Sequence, residues 1–318
     1  MTASPSNIWY RLLFKVKIYE ASGDSFQRLV SQIYEGSEAD FQSIAPWGNW
    51  GDGGNDGWVP SAGQYFQVYG PKPTTQWQPN DAVNKAIDDF KKLPVKWKDI
   101  RKYSFVLNDR YCGIPAPVAS ALQQLKIDYN LENASAVNTA KLESLFMALE
   151  EDQRQAIICG GVPVGIPEFV DSRHIGELLS HLADKPSIQS GFLSELPPDF
   201  EQKITFNGLT EPIPAFLRAY SYQTTTVEDF LGPRDPGLQQ AIAEEVQHLY
   251  EESKSIIPND DANAANIRYV WMVDKLIPDA MRKHPHSMKA YREAAQIVLA
   301  KYFETCDAYE HPERLTSA

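Results

Sequence analysis

Asp56 and Gln67 are a carboxylate and a carboxamide that this sequence brings to neighbouring strands, where they offer the hard oxygen donors a divalent cation takes. Asp56 stands near the end of the run Gly48-Asn49-Trp50-Gly51-Asp52-Gly53-Gly54-Asn55-Asp56-Gly57-Trp58, a glycine-rich turn that delivers it to the start of a strand. Tyr65-Phe66-Gln67-Val68-Tyr69-Gly70-Pro71 follows, and in an extended chain Gln67 and Tyr69 share one face. The chemistry such a set serves is phosphodiester hydrolysis. Water must be activated and the charge growing on the phosphate oxygens neutralised, and Mg²⁺ or Mn²⁺ held by Asp56, Gln67 and the Val68 carbonyl would do both. Asp52 is a further ligand or a support to one. Tyr69 stands where a lysine would orient water or phosphate, and its hydroxyl offers a hydrogen bond without positive charge.

Other readings of the glycine run are tested by spacing. An EF-hand starting at Asp52 would need Asn or Asp at 54 and Glu at 63, and both positions are glycine. A dinucleotide fingerprint starting at Gly51 has Asp56 where its last glycine belongs. A flexible turn between strands stays open as the plain reading.

The elements that must position these groups follow from periodicity. Residues 7–20 read as a first helix or strand. Phe26, Leu29, Val30, Ile33 and Tyr34 recur at helical spacing behind Gly23-Asp24-Ser25, which predicts a helix over 24–35. Phe41 to Trp47 reads as a short strand and Gln64 to Val68 as a central one. Helices are expected over 82–93 and 118–125, strands over 103–107 and 135–137, and one long helix over 139–158. The glycine and proline stretch Cys159-Gly160-Gly161-Val162-Pro163-Val164-Gly165-Ile166-Pro167 reads as a linker. Beyond it the pattern is helical over 173–183, 214–221, 238–252, 267–277 and 288–304. The expected organisation is an α/β domain over 1–160 and an all-α domain over 161–318.

The chain has 318 residues, 43% of them apolar, and a formal charge of −12. That is enough apolar mass for real cores, and no stretch approaches the ~18 apolar residues of a membrane span. A cytoplasmic protein without a membrane partner is expected. The charge disfavours indiscriminate nucleic-acid binding. Its distribution is uneven: Lys72, Lys85, Lys91, Lys92, Lys96, Lys98, Arg101, Lys102 and Arg110 crowd the segment after the glycine run. Such a stripe could guide a polyanion to one cleft or serve as a solvated helix face. Cys112, Cys159 and Cys306 are odd in number and lack CxxC spacing, so buried thiols are expected. His284-Pro285-His286 reads as a surface loop, and His174 and His181 as packing positions.

The pattern of a helix beginning Phe26-Gln27, then Gly51-Asp52-Gly53-Gly54-Asn55-Asp56-Gly57, then Gln67-Val68-Tyr69, resembles the PD-(D/E)XK superfamily and its Mrr-like nuclease domains. The resemblance implies a restriction-endonuclease-like fold over the first half of the chain. It carries Asp56 and Gln67 over as metal-binding catalytic positions. Gln27 stands where the family keeps a helix glutamate and Tyr69 where it keeps a lysine; Glu20 and Glu35 are the carboxylates nearby in sequence. Tyr302-Phe303-Glu304-Thr305-Cys306-Asp307-Ala308-Tyr309-Glu310 is similar to the YFExCDxFE signature of bacterial three-component defence loci that contain an ABC-type ATPase. Together the two resemblances imply a metal-dependent endonuclease effector of antiphage defence acting on DNA. The alternative is a non-catalytic nucleic-acid-binding or scaffold subunit with a degenerate nuclease fold. An ATPase or sensor subunit and a homo-oligomeric partner are both implied possibilities.

Overall fold

The computed structural model describes residues 5–46, 48, 52–73, 77–163, 165, 167, 170–183, 199–233, 236–283, 285–305 and 308–312. Two compact units divide the chain, one formed by Lys17–Ile157 and the other by Met1–Val16 with Ile158–Ala318. The division at 157/158 lies three residues from the expected boundary at 160/161. The first segment, however, groups with the C-terminal residues. Residues 7–20 lie in a helix, α1 (Pro5–Glu20), whose first part belongs to one unit and whose end belongs to the other.

The unit of 17–157 is built on a five-stranded sheet. Its strands are β1 (Gln42–Ser43), β2 (Gly57–Val59), β3 (Gln64–Tyr69), β4 (Lys102–Leu107) and β5 (Asn133–Val137), in that spatial order. The first three form an antiparallel meander, and β3, β4 and β5 run parallel. Parallel neighbours need crossovers. Helix α3 (Pro79–Lys96) connects β3 to β4, and α4 (Ala116–Asp128) connects β4 to β5.

Helix α2 (Gly23–Ser37) starts where Ser22 N–H donates to Ser25 Oγ at 2.9 Å. It buries Phe26, Leu29, Val30, Ile33 and Tyr34, the stripe its sequence period announces. Tyr34 meets Phe66 with ring centroids 4.6 Å apart, so α2 covers the sheet face that carries the even-numbered residues of β3. Tyr65 and Tyr69 point the other way, into a core shared with Ala82, Ala86, Phe90 and Leu93 of α3 and Leu122 of α4. Gln67 has the same parity and faces α3.

Three local expectations are corrected. The strand expected over 41–47 is reduced to the two exposed residues of β1; Ile44 N–H still reaches Asp56 O at 3.1 Å, but Pro46, three residues past the strand, has no N–H to give a ladder, and Trp47 lies outside the described residues. The long helix expected over 139–158 is two helices, α5 (Thr139–Ala148) and α6 (Glu151–Ile157). Between them Leu149 turns extended (φ −66°, ψ 158°) and packs against Gly36, while Glu150 N–H finds Gln153 Oε1. Cys112 is exposed in the loop after β4, where a buried thiol was expected; Arg110, Tyr111 and Gly113 around it all have positive φ, and Gly113 faces open space.

The second unit's described elements beyond α1 are helical: α7 (Ser172–Ala183), α8 (Phe200–Phe206), α9 (Ile213–Ser221), α10 (Thr225–Leu231), α11 (Pro236–Ile256), α12 (Ala264–Leu276) and α13 (Pro285–Glu304), with a short 3₁₀ turn at Met281–Lys283. Every residue over 291–300 is buried, Arg292, Glu293 and Gln296 included, so α13 is covered on all sides and lies at the centre of this unit. It packs on α7, α9 and α12. Trp9 of α1 meets Phe216 of α9 edge to face at 5.2 Å, and Lys15 reaches both Asp261 oxygens at 2.8 and 3.1 Å. Among the described residues, no helix is long and apolar enough to cross a membrane.

Candidate functional site

Antiparallel pairing of β2 with β3 stops at Gly57, opposite Phe66, and one further main-chain bond joins Asp56 N–H to Phe66 O at 2.8 Å. Beyond it the two strands part. Val68 N–H would be left facing the gap, and the Asp56 carboxylate takes it: Oδ2 accepts from Val68 N–H and from Gln67 Nε2, both at 2.7 Å. Tyr69 O accepts from Asn108 N–H on the β4 side, so strand alternation sends the Val68 carbonyl to the β2 side, 3.5 Å from Gln67 Nε2. Asp56, Gln67 and the Val68 carbonyl therefore meet in the opening between β2 and β3.

The site is buried. Asp56 is 6% exposed and Gln67 2%. Burial is the main reason the Asp56 carboxyl is pushed up from 3.8 to about 6; the Val68 N–H and the Lys85 ammonium pull it down, while Asp52 and Asp89 add to the rise. Gln67 Oε1 has no hydrogen-bond partner among the described residues, nor does the Asn55 amide nitrogen. A buried acceptor left in this state is costly unless something else satisfies it.

The glycine run owes its composition to packing. Gly53 and Gly54 have φ of +68° and +79°. A Cβ at Gly53 would lie 2.8 Å from Trp97 Nε1, and one at Gly54 would overlap the Asp89 main-chain oxygen. The turn thus lies directly on the C-terminal part of α3. Asp52 closes it, accepting from Gly54 N–H at 2.8 Å, so this carboxylate serves the turn. Trp47, Asn49, Trp50 and Gly51 lie outside the described residues.

The packing brings in a residue that sequence reading missed. Asp89 on α3 is 3% exposed and is bracketed by Lys85 Nζ and Lys92 Nζ, each at 2.6 Å. The spacing Lys85-x-x-x-Asp89-x-x-Lys92 was legible as one helix face, but it looks like any solvated ion-pair stripe. Only the tertiary fold turns it towards Asp56.

Among the described residues neither Tyr69 nor Gln27 hydrogen-bonds to the pair. The Tyr69 ring stacks on Phe105 at 6.2 Å and meets Trp77 edge-on at 6.3 Å; burial, then the charge of Asp81, holds its hydroxyl above the ordinary tyrosine value. Gln27 lies on α2, which covers the opposite face of the sheet from Gln67. Of the basic stripe, Lys85 and Lys92 are committed to Asp89, Arg101 donates to Ser61 O at 2.7 Å, and the Arg110 guanidinium is drawn to Pro71 O. Lys72, Lys91 and Lys98 remain exposed.

Asp56, Gln67 Oε1 and the Val68 carbonyl are hard oxygen donors of the kind Mg²⁺ or Mn²⁺ takes, and the unsatisfied Gln67 oxygen fits such an ion. Among the described residues no three His, Cys, Asp or Glu side chains group closely enough to hold a metal, so this set depends on amide and main-chain oxygens.

The C-terminal signature is a packed helix end. Phe303 and Tyr309 are buried with ring centroids 5.5 Å apart, the Lys203 ammonium donates to Phe303 O, and Glu310 N–H donates to Asn207 Oδ1; Cys306 and Asp307 lie outside the described residues. His174 packs edge-on against Tyr291 at 4.9 Å, and His284 lies outside the described residues. No curated protein and no solved structure matches the chain. Residues 173–310 match the family model of C-terminal domain 10 of the ABC-three component (ABC-3C) systems, so the C-terminal part of this chain is similar to a domain of those multi-component systems.

Proposed function

We propose that residues 17–157 are a restriction-endonuclease-like domain that hydrolyses DNA with a divalent cation, within a component of an ABC-three component antiphage defence system. The observation that carries this reading is the Asp56–Gln67 pair at the point where β2 and β3 part, with Gln67 Oε1 buried and unsatisfied. The order of helix, three-stranded meander, helix and parallel strand supports the same reading, and the match over 173–310 supports the defence setting.

In this reading Asp56, Gln67 Oε1 and the Val68 carbonyl hold Mg²⁺ or Mn²⁺. The cation, when bound, supplies an acidified water and a counter-charge for the phosphate. Asp56 must be deprotonated to serve, which its carboxyl reaches above about pH 6. Gln67 Nε2 holds the Asp56 carboxylate in place, and Gln67 Oε1 would be the oxygen it offers to the ion. Tyr69 orients water or phosphate through its hydroxyl, and Lys85 is a nearby positive charge that Tyr69 cannot provide.

A second reading, a nucleic-acid-binding subunit without cleavage, is favoured by the low exposure of Asp56 and Gln67 and by the stacked, uncharged Tyr69. The two part on metal binding. The purified chain should melt higher with Mn²⁺, and Asp56→Asn should abolish that shift if the ligand set is real. An equal shift in both proteins would remove the assignment.

A further inference from the structure

We infer that Asp89 is the second carboxylate of this site, held in reserve by Lys85 and Lys92, and that a polyanion which draws those lysines away makes the site bind a divalent cation. The inference rests on the reading of Asp56 and Gln67 as ligands, and adds to it the group that completes the set and the signal that releases it.

The first observation is placement. Asp89 lies under the glycine turn, its main-chain oxygen against Gly54, two residues before Asp56. Both carboxylates act on the buried Tyr103 phenol between the sheet and α3. Tyr103 is otherwise occupied, donating to Ala86 O at 3.0 Å. The second observation is independent: Gln67 is 2% exposed, faces α3, and its Oε1 finds no donor among the described residues. Two carboxylates and an orphaned amide oxygen on the same side of the sheet are what a hard cation needs.

The third observation is how the charge of Asp89 is balanced. Its side chain is 4% exposed, whereas those of Lys85 and Lys92 are 42% and 57% exposed. The carboxylate is fixed inside and the two ammonium groups reach it from solvent. A buried carboxylate cannot stay uncompensated, so its neutralisation must be exchanged for another. Phosphates arriving along the exposed lysines compete for Lys85 and Lys92, and each pair broken leaves a negative charge facing Asp56. A divalent cation then restores the balance. Nucleic acid is the polyanion this fits, because the proposed reaction acts on its phosphates and Lys91, one residue from Lys92, is exposed on the same helix.

Linkage makes the coupling reciprocal, so each ligand must tighten the other by the same factor. The test measures Mn²⁺ binding to the full chain by electron paramagnetic resonance, with and without a short phosphorothioate DNA duplex that resists cleavage. The expected result is a roughly tenfold tighter Mn²⁺ site with DNA, within the usual range of such couplings. Asp89→Asn should lose that gain. Lys92→Met should tighten Mn²⁺ without DNA, and Lys85→Met is a second variant for the case in which the first unfolds. Mn²⁺ binding that requires Asp56 yet ignores DNA and Asp89→Asn would overturn the inference and leave the ligand pair standing. Absence of Mn²⁺ binding in every protein, with DNA or without, would overturn both.

Discussion

Gly54 lies against the main-chain carbonyl of Asp89, so that the glycine-rich turn and helix α3 touch without a side chain between them. This contact sets the position of Asp56, two residues on, and explains why the run is glycine where it is. Gly54→Ala should therefore destabilise the protein by at least ~2 kcal/mol, from the left-handed backbone at φ +79° together with the overlap. Gly48→Ala, whose Cβ would meet no described residue within 4 Å, should cost less. Denaturant melts of the two variants give the comparison.

The Asp56 carboxyl makes stability depend on pH in a defined direction. Its folded value is raised from 3.8 to about 6. The folded state therefore holds the proton more tightly than the unfolded chain. The associated stability is complete below about pH 4 and lost as pH rises through about 6, on the order of 3 kcal/mol in all. The difference in unfolding free energy between wild type and Asp56→Asn, followed from pH 4 to pH 7, isolates this group. It should fall across that window, and a flat difference would mean that Asp56 is not buried as described.

Tyr69→Phe keeps the ring stacked on Phe105 and removes only the hydroxyl. If that hydroxyl orients water or phosphate, DNA cleavage should fall roughly tenfold, the worth of one hydrogen bond in the transition state, with melting unchanged. Unchanged cleavage would assign Tyr69 to packing alone.

Arg292 is 1% exposed on α13, pairs with Asp274 at 3.0 Å and donates to the main-chain carbonyls of Ile158 and Gly160. It fastens the chain that opens the helical unit to its central helix. Arg292→Met should lower stability by ~3 kcal/mol, because a buried ion pair and two hydrogen bonds to main-chain carbonyls are lost. Thermal unfolding of the full chain measures it.

Part of this was legible in the sequence because it depends on neighbours along the chain. The stripe Phe26, Leu29, Val30, Ile33 and Tyr34 names its own buried face, and Asp56 with Gln67 could be paired because a turn and a strand are local features. Helices α8 and α10 were missed: at seven residues each they are about two turns, too short for a 3.6-residue period to stand out. The break at Leu149 was invisible because Gly36, which receives it, is more than a hundred positions away. Asp89 escaped for the same reason. Its lysine partners sit three and four residues off and look like surface pairs, and only the approach of Gly54 shows that the carboxylate is interior.

The most direct measurement is cleavage of supercoiled plasmid DNA by the full chain in Mg²⁺ or Mn²⁺, compared with Asp56→Ala of matched melting behaviour. We expect nicked and linear products that need the cation and disappear in Asp56→Ala. Equal cleavage by that variant would contradict the account at its centre.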